Sequence, residues 1–173
     1  MRAHRIVAAV AAGFLLAGTL GAPADANVRK FRDRAGDVRG SIDITRVRVD
    51  NSTHQRNAVA VRVKQRGFAY GNYVYVYIDS NRKRRGPEFR FSGYYASEYF
   101  LHRMKSWTDA GRKVRCKRPY SLKMGGHGVT RVSVHRACIG KPGRIRVAVM
   151  TGRGGRGVDW APAKHRWLGW VKR

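Results

Sequence analysis

Carboxylates are the scarce residues of this chain: 10 Asp and Glu stand against 37 Lys and Arg in 173 residues, a formal net charge of +27. Paired-carboxylate chemistry therefore has few candidates, and neither Glu88 nor Glu98 has a second acid at a telling spacing. Beyond the first 22 residues no apolar run approaches the ~20 needed to cross a bilayer, which excludes a multispanning helical membrane protein. Twenty glycines and four methionines speak against a long coiled coil. GxSxG and HExxH are absent, and His54, His102, His127, His135 and His165 are scattered. Gly125-Gly126-His127-Gly128 reads as a flexible turn, so no catalytic residue is nominated and no enzyme is expected. What is present is a core: 43% hydrophobic and 10% aromatic residues do not describe a disordered basic tail, and the length suits one domain.

The chain starts with an address. Arg2 and Arg5 precede an apolar stretch from Ile6 to Ala22, then Pro23 and the A-x-A pattern Ala24-Asp25-Ala26. That order predicts a secretory signal peptide over residues 1–26, cleaved before Asn27, and an extracellular mature protein that does not span the membrane. No cysteine follows the apolar core, so a lipid anchor is not expected. Cys116 and Cys138 are the chain's two cysteines and both lie in the mature part, where an oxidising compartment favours pairing them. Metal ligation is the alternative, but no CxxC or HxxxH spacing accompanies them.

Residues 27–40 read as a basic extended arm, and residues 41–173 as a single β-sandwich domain, all-β, antiparallel and jelly-roll-like. Ile42, Ile44, Val47 and Val49 alternate in two pairs, but three positions separate Ile44 from Val47, which predicts a bulge or a change of face. Val59, Val61 and Val63 alternate with Arg62 and Lys64, as in a half-buried strand. In Tyr73–Asp79, Val74, Val76 and Ile78 take one face of a central strand, and Tyr73, Tyr75 and Tyr77 the other. Short strand-like pieces follow at Lys113–Lys117, Ser121–Met124, Val129–Val134, Ile145–Met150 and Trp167–Val171, separated by glycine-rich turns. One helical turn is entertained, near Ala96–Met104.

Several of these stretches carry a resemblance. Asp33-x-Ala-Gly-Asp37, Ser41-Ile-Asp-Ile-Thr-Arg-Val47, Tyr77-Ile-Asp79 with Gly86-Pro-Glu-Phe89, Ala137-Cys-Ile-Gly140 and Asp159-Trp-Ala-Pro162 resemble small secreted proteins of high-GC Gram-positive bacteria. That group is distantly similar to carbohydrate-binding and DOMON-type sandwiches. The resemblance covers most of residues 33–162 and implies fold and secretion, with no assigned activity.

Chemistry is read from charge and aromatics. Arg46, Arg48, Arg62, Arg131, Arg144 and Arg146 alternate with Val or Ile, which would lay cations in rows on solvent faces. Arg82, Lys83, Arg84 and Arg85 sit consecutively in a turn, the most accessible part of that field. A field of one sign attracts polyanions, so the expected partner is an anionic surface or polymer: cell-wall polymer, acidic polysaccharide or extracellular nucleic acid. The plainer alternative is a solubilising charge. Arg153-Gly-Gly-Arg156-Gly is read as a glycine turn before an RGG element. Tyr73, Tyr75 and Tyr77 could stack on neutral glycans, and as readily could pack with their hydroxyls outward. Asp33, Asp37 and Asp43 fall close in sequence and Asp79 ends the central strand; such loop acids can gather round Ca²⁺, although no EF-hand spacing is present. The plainer expectation is that Asp33 and Asp37 shape turns and pair with flanking arginines. No other cofactor is expected.

Overall fold

A computed structural model describes residues 27–38, 42–154 and 156–173; the expected signal peptide, residues 1–26, lies outside them, as do Arg39, Gly40, Ser41 and Gly155. Alternating apolar residues put 52% of it in strands. In chain order these are β1 (Val28–Arg32), β2 (Asp43–Asp50), β3 (Ala58–Arg66), β4 (Asn72–Asp79), β5 (Phe89–Tyr94) and β6 (Tyr99–Met104). There follow β7 (Ala110–Lys113), β8 (Tyr120–Gly125), β9 (Val129–His135), β10 (Arg144–Arg153), β11 (Val158–Ala161) and β12 (Val171–Lys172). A single 3₁₀ turn, Arg136–Ile139, is the one helical piece among the described residues.

The strands form two antiparallel sheets, β1-β2-β3-β9-β8 and β11-β10-β4-β5-β6-β7, with β12 pairing β10. The chain changes sheet at β3–β4, β7–β8 and β9–β10 and otherwise meanders, so the jelly-roll likeness lies in the two layers rather than in the connections. Inner faces meet in one core. Val47, Val49, Val59, Val61, Val63, Val132 and Val134 of the first sheet pack on Val74, Val76, Ile78, Phe91, Leu101, Val147 and Val149 of the second. At ~1.5–3 kcal/mol for each large apolar side chain removed from water, this layer is the main stabilising term. The bulge read from the Ile44–Val47 spacing is present: the β2–β3 register shifts between Ile44 and Arg46. It keeps Ile44 and Val47 both inside.

Three details depart from expectation. The arm is not free: its first residues are β1, an edge strand paired with β2 from Val28↔Asp50 to Arg32↔Arg46. The turn entertained near Ala96–Met104 is instead β6, paired with β5 from Phe89↔Arg103 to Gly93↔Tyr99, with Leu101 buried in the main core and Met104, past a register shift, in a second cluster. At the C-terminus only Val171–Lys172 pairs; Trp167 and Leu168 reach the body through side chains and a bond from the Leu168 amide to the Val147 carbonyl. Cys116 and Cys138 are bonded, with Cα atoms 5.5 Å apart, tying the β7–β8 connection to the 3₁₀ turn. Beside it, buried Arg136 donates to the carbonyls of Pro142 and Asn51. Gly128, at φ +68°, carries a carbonyl that accepts from Gln65, and a side chain there would strike the Gln65 carbonyl.

Candidate functional site

The first sheet turns its valines inward, so strand alternation turns its charged residues outward. Register then aligns them. Lys30 pairs with Arg48, Arg48 with Arg62, Arg62 with Arg131 and Arg131 with Lys123, one cation from each of the five strands in a straight row. A shorter row runs alongside: Arg32 opposite Arg46 opposite Lys64. Directly paired residues share a face, and strands lie ~4.8 Å apart, so the long row spans about 19 Å. All of these side chains are exposed except Arg48, which is half-buried.

Two depressions lie along the rows. One of about 240 Å³ is lined by Lys30, Arg46, Arg48, Arg62 and Lys64. Its neighbour, about 400 Å³, brings Arg48, Arg62, Arg131 and Lys123 together with Gln55, Ser121 and Ser133. Among the described residues, one carboxylate offsets this field: Asp50, 3.2 Å from Arg48. Asp50 is itself buried, and its other oxygen accepts from the Ser52 amide and hydroxyl. The face is therefore positive and nearly uncompensated.

The nine cations nominated from the sequence divide among three places. Arg46, Arg48 and Arg62 are in the rows. Arg144 and Arg146 belong to β10, in the other sheet. Arg144 is exposed, but Arg146 is spent internally: Nε donates to Asp79 at 2.6 Å and the guanidinium lies over Trp167 and Trp170. The turn Arg82–Arg85, between β4 and β5, is less free than its composition suggests. Arg82 covers the Trp170 ring at 5.1 Å and Arg84 donates to the Met104 carbonyl at 2.8 Å, although all four residues are exposed. Lys30, Arg32, Lys64, Lys123 and Arg131 complete the face. Alternation in the sequence marks them as outward, but their alignment is a property of register.

The tyrosine stripe faces outward from the second sheet and is partly roofed. Trp160 stacks on Tyr77 at 5.4 Å, Trp107 leans on both, and Trp167 sits 4.4 Å from Trp107, a small second core. Burial pushes the Tyr77 hydroxyl above its ordinary range. Tyr73 and Tyr75 stay half-exposed, but their rings are tilted by 44° and the Arg90 guanidinium covers Tyr75 at 4.7 Å. Tyr75 and Tyr94 share a hydroxyl bond at 2.9 Å. No flat pair of rings is offered to a sugar on this strand.

Acids gather at one edge of the sandwich. Carboxylate oxygens of Asp37, Asp43 and Asp159 lie within 4.8 Å of one another. Asp33 sits beside them, its carboxyl raised to about 7 by burial first and then by the charges of Asp159, Asp37 and Asp43. The expected pairing of Asp33 and Asp37 with flanking arginines is not what is seen: among the described residues no Lys, Arg or His is within ion-pair distance of any of the four. Asp79 is elsewhere, paired with Arg146. Asp159 was not legible as a partner because only the β2–β11 contact brings it to Asp43. Gly154 and Arg156 lie in the connection from β10 to β11; Gly155 lies outside the described residues. No family model, curated protein or solved structure matches this chain.

Proposed function

We propose that the protein is a secreted, non-catalytic binder of anionic polymers or surfaces, and that the outer face of the five-stranded sheet receives them. The observation that carries this is the row Lys30–Arg48–Arg62–Arg131–Lys123. Like charges directly opposite across strands destabilise by about 0.2–1 kcal/mol a pair. Six such pairs stand in the two rows, about 1–6 kcal/mol in all, a large fraction of an ordinary domain's net stability. An anion laid over the face turns that cost into binding energy. The ~19 Å span suits a polymer rather than a small ion. Teichoic-type polymers, acidic polysaccharide and extracellular nucleic acid are the substrates of that chemistry outside a cell. Contacts of this kind hold phosphate or carboxylate without reading sequence. The disulfide fits an oxidising compartment.

Salt dependence is the test, with duplex DNA as a convenient polyanion. If the long row engages five phosphates, log Kd against log salt should have a slope of about 4.5. Replacing Arg82, Lys83, Arg84 and Arg85 by Gln should leave that slope in place; a fall by up to ~3.6 would move the site to the turn. Absence of binding even at low salt would overturn the proposal. Salt-indifferent binding to neutral glycans instead would transfer the function to the tyrosine face.

A further inference from the structure

Four carboxylates converge in a chain where cations outnumber acids 37 to 10, and no described cation comes to them. Asp43 and Asp159 are buried, at 7% and 2% exposure. Their backbone partners account for part of this: Gly36 N–H donates to Asp43 Oδ2 at 3.1 Å, and the amides of Ile44 and Trp160 donate to the two oxygens of Asp159 at 2.5 and 2.6 Å. Asp43 Oδ1 is left buried with no hydrogen-bond partner, and so is Asp33 Oδ2. A buried, unpartnered carboxylate oxygen beside other carboxylates is costly unless a positive ion completes it.

We propose that Asp37, Asp43 and Asp159, with Asp33 beside them, form a calcium site that pins the β1–β2 loop to β11 across the edge of the two sheets. The donor set suits Ca²⁺, which takes six to eight oxygens in flexible geometry, whereas Mg²⁺ demands a near-ideal octahedron. Three carboxylate oxygens within 4.8 Å of one another can share one such ion. Exposed Asp37 leaves the site open to water, which would supply remaining ligands. The proposal is independent of the cationic face.

The test is a calcium titration of the purified protein after EGTA treatment, by calorimetry and by thermal melting. One ion per chain is expected, with Kd of about 10⁻⁴–10⁻³ M or tighter, and magnesium at least ~10-fold weaker. At 10 mM calcium Tm should rise by about 3–10 °C. Asp37→Asn, at an exposed position, should melt at or above wild type in EGTA, because one like charge is gone, yet lose most of the calcium-dependent rise. Asp159→Asn should behave likewise if it folds; Asp37→Asn answers the question where it does not. A wild-type Tm identical in EGTA and calcium with no titration heat would overturn the site. So would a full calcium response in Asp37→Asn, or equal affinity for magnesium.

Discussion

Neutralising the centre of the cationic row should stabilise the protein while weakening its binding. Arg62 is the position: it is exposed, stands directly between Arg48 and Arg131, and makes no ion pair among the described residues. Arg62→Gln removes two like-charge contacts at about 0.2–1 kcal/mol each, a gain of about 0.4–2 kcal/mol. Lost packing of the arginine stem offsets a little of this. For a domain of this size the gain corresponds to about 1–8 °C in Tm. Salt supplies the control. At ~0.01 M the screening length of about 30 Å exceeds the whole row, and at ~1 M it is about 3 Å, shorter than one strand spacing. The variant's advantage should therefore be largest in dilute buffer and vanish at high salt, while its DNA-binding slope falls by about 0.9. Lys164→Gln, an exposed loop change of the same charge, should do neither. Melting by calorimetry across that salt series reads it directly. No gain at low salt, or a gain that persists at ~1 M, would refute the claim that the row is under electrostatic strain.

The disulfide and one histidine give two more tests. Replacing Cys116 and Cys138 by Ser should cost about 3 kcal/mol, since the bond closes a loop with a sequence separation of 22; urea unfolding checks it, and a midpoint within error of wild type would remove the bond from the stability argument. His102 is held below its ordinary pKa by burial first and then by Arg90 and Lys113. Its folded value is the lower one, so protons favour the unfolded chain: stability is full above the ordinary pKa of 6.5 and is lost as pH falls below it. Wild-type Tm should therefore drop more between pH 7.5 and 5 than that of His102→Gln, and parallel curves for the two would show that His102 titrates normally.

What strand period alone decides was legible. Val74, Val76 and Ile78 in the core, the Ile44–Val47 bulge and the Cys116–Cys138 bond all follow from spacing and compartment. Alternation also marks Arg48, Arg62 and Arg131 as outward. It cannot say that they stand opposite one another, because register is set by turns, bulges and long-range pairing that no local window contains. The Ala96–Met104 stretch misled for the same reason: its aromatics fit either period until β5 supplies Leu101 with Phe91 as a partner. The tyrosines were ambiguous because both faces of β4 are covered, one by the other sheet and one by Trp107, Trp160 and Trp167, which arrive from far along the chain. Arg146 reads as a strand cation and is in fact the counter-charge of Asp79.

The placement of the few acids is the strongest argument that charge in this protein is arranged. Asp25 lies outside the described residues. Of the others, Asp50, Asp79 and Asp109 pair with Arg48, Arg146 and Lys105. Glu88 is buried against the Ser80 amide at 2.7 Å, and Glu98 is exposed. Asp33, Asp37, Asp43 and Asp159 are left, and they meet at one edge. None of the four has a Lys, Arg or His within ion-pair distance among the described residues, although the chain holds 37 Lys and Arg. Here they avoid the cations and find each other, at a repulsive cost of the same kind as the one carried by the rows on the sheet. These two regions of opposite sign, each self-repelling, are what the proposed anionic polymer over the sheet and the proposed dication at the edge would neutralise. If a merely solubilising excess of arginine were the whole explanation, Arg62→Gln would leave Tm unchanged within about 1 °C in dilute buffer, and calcium would move the Tm of wild type and Asp37→Asn equally.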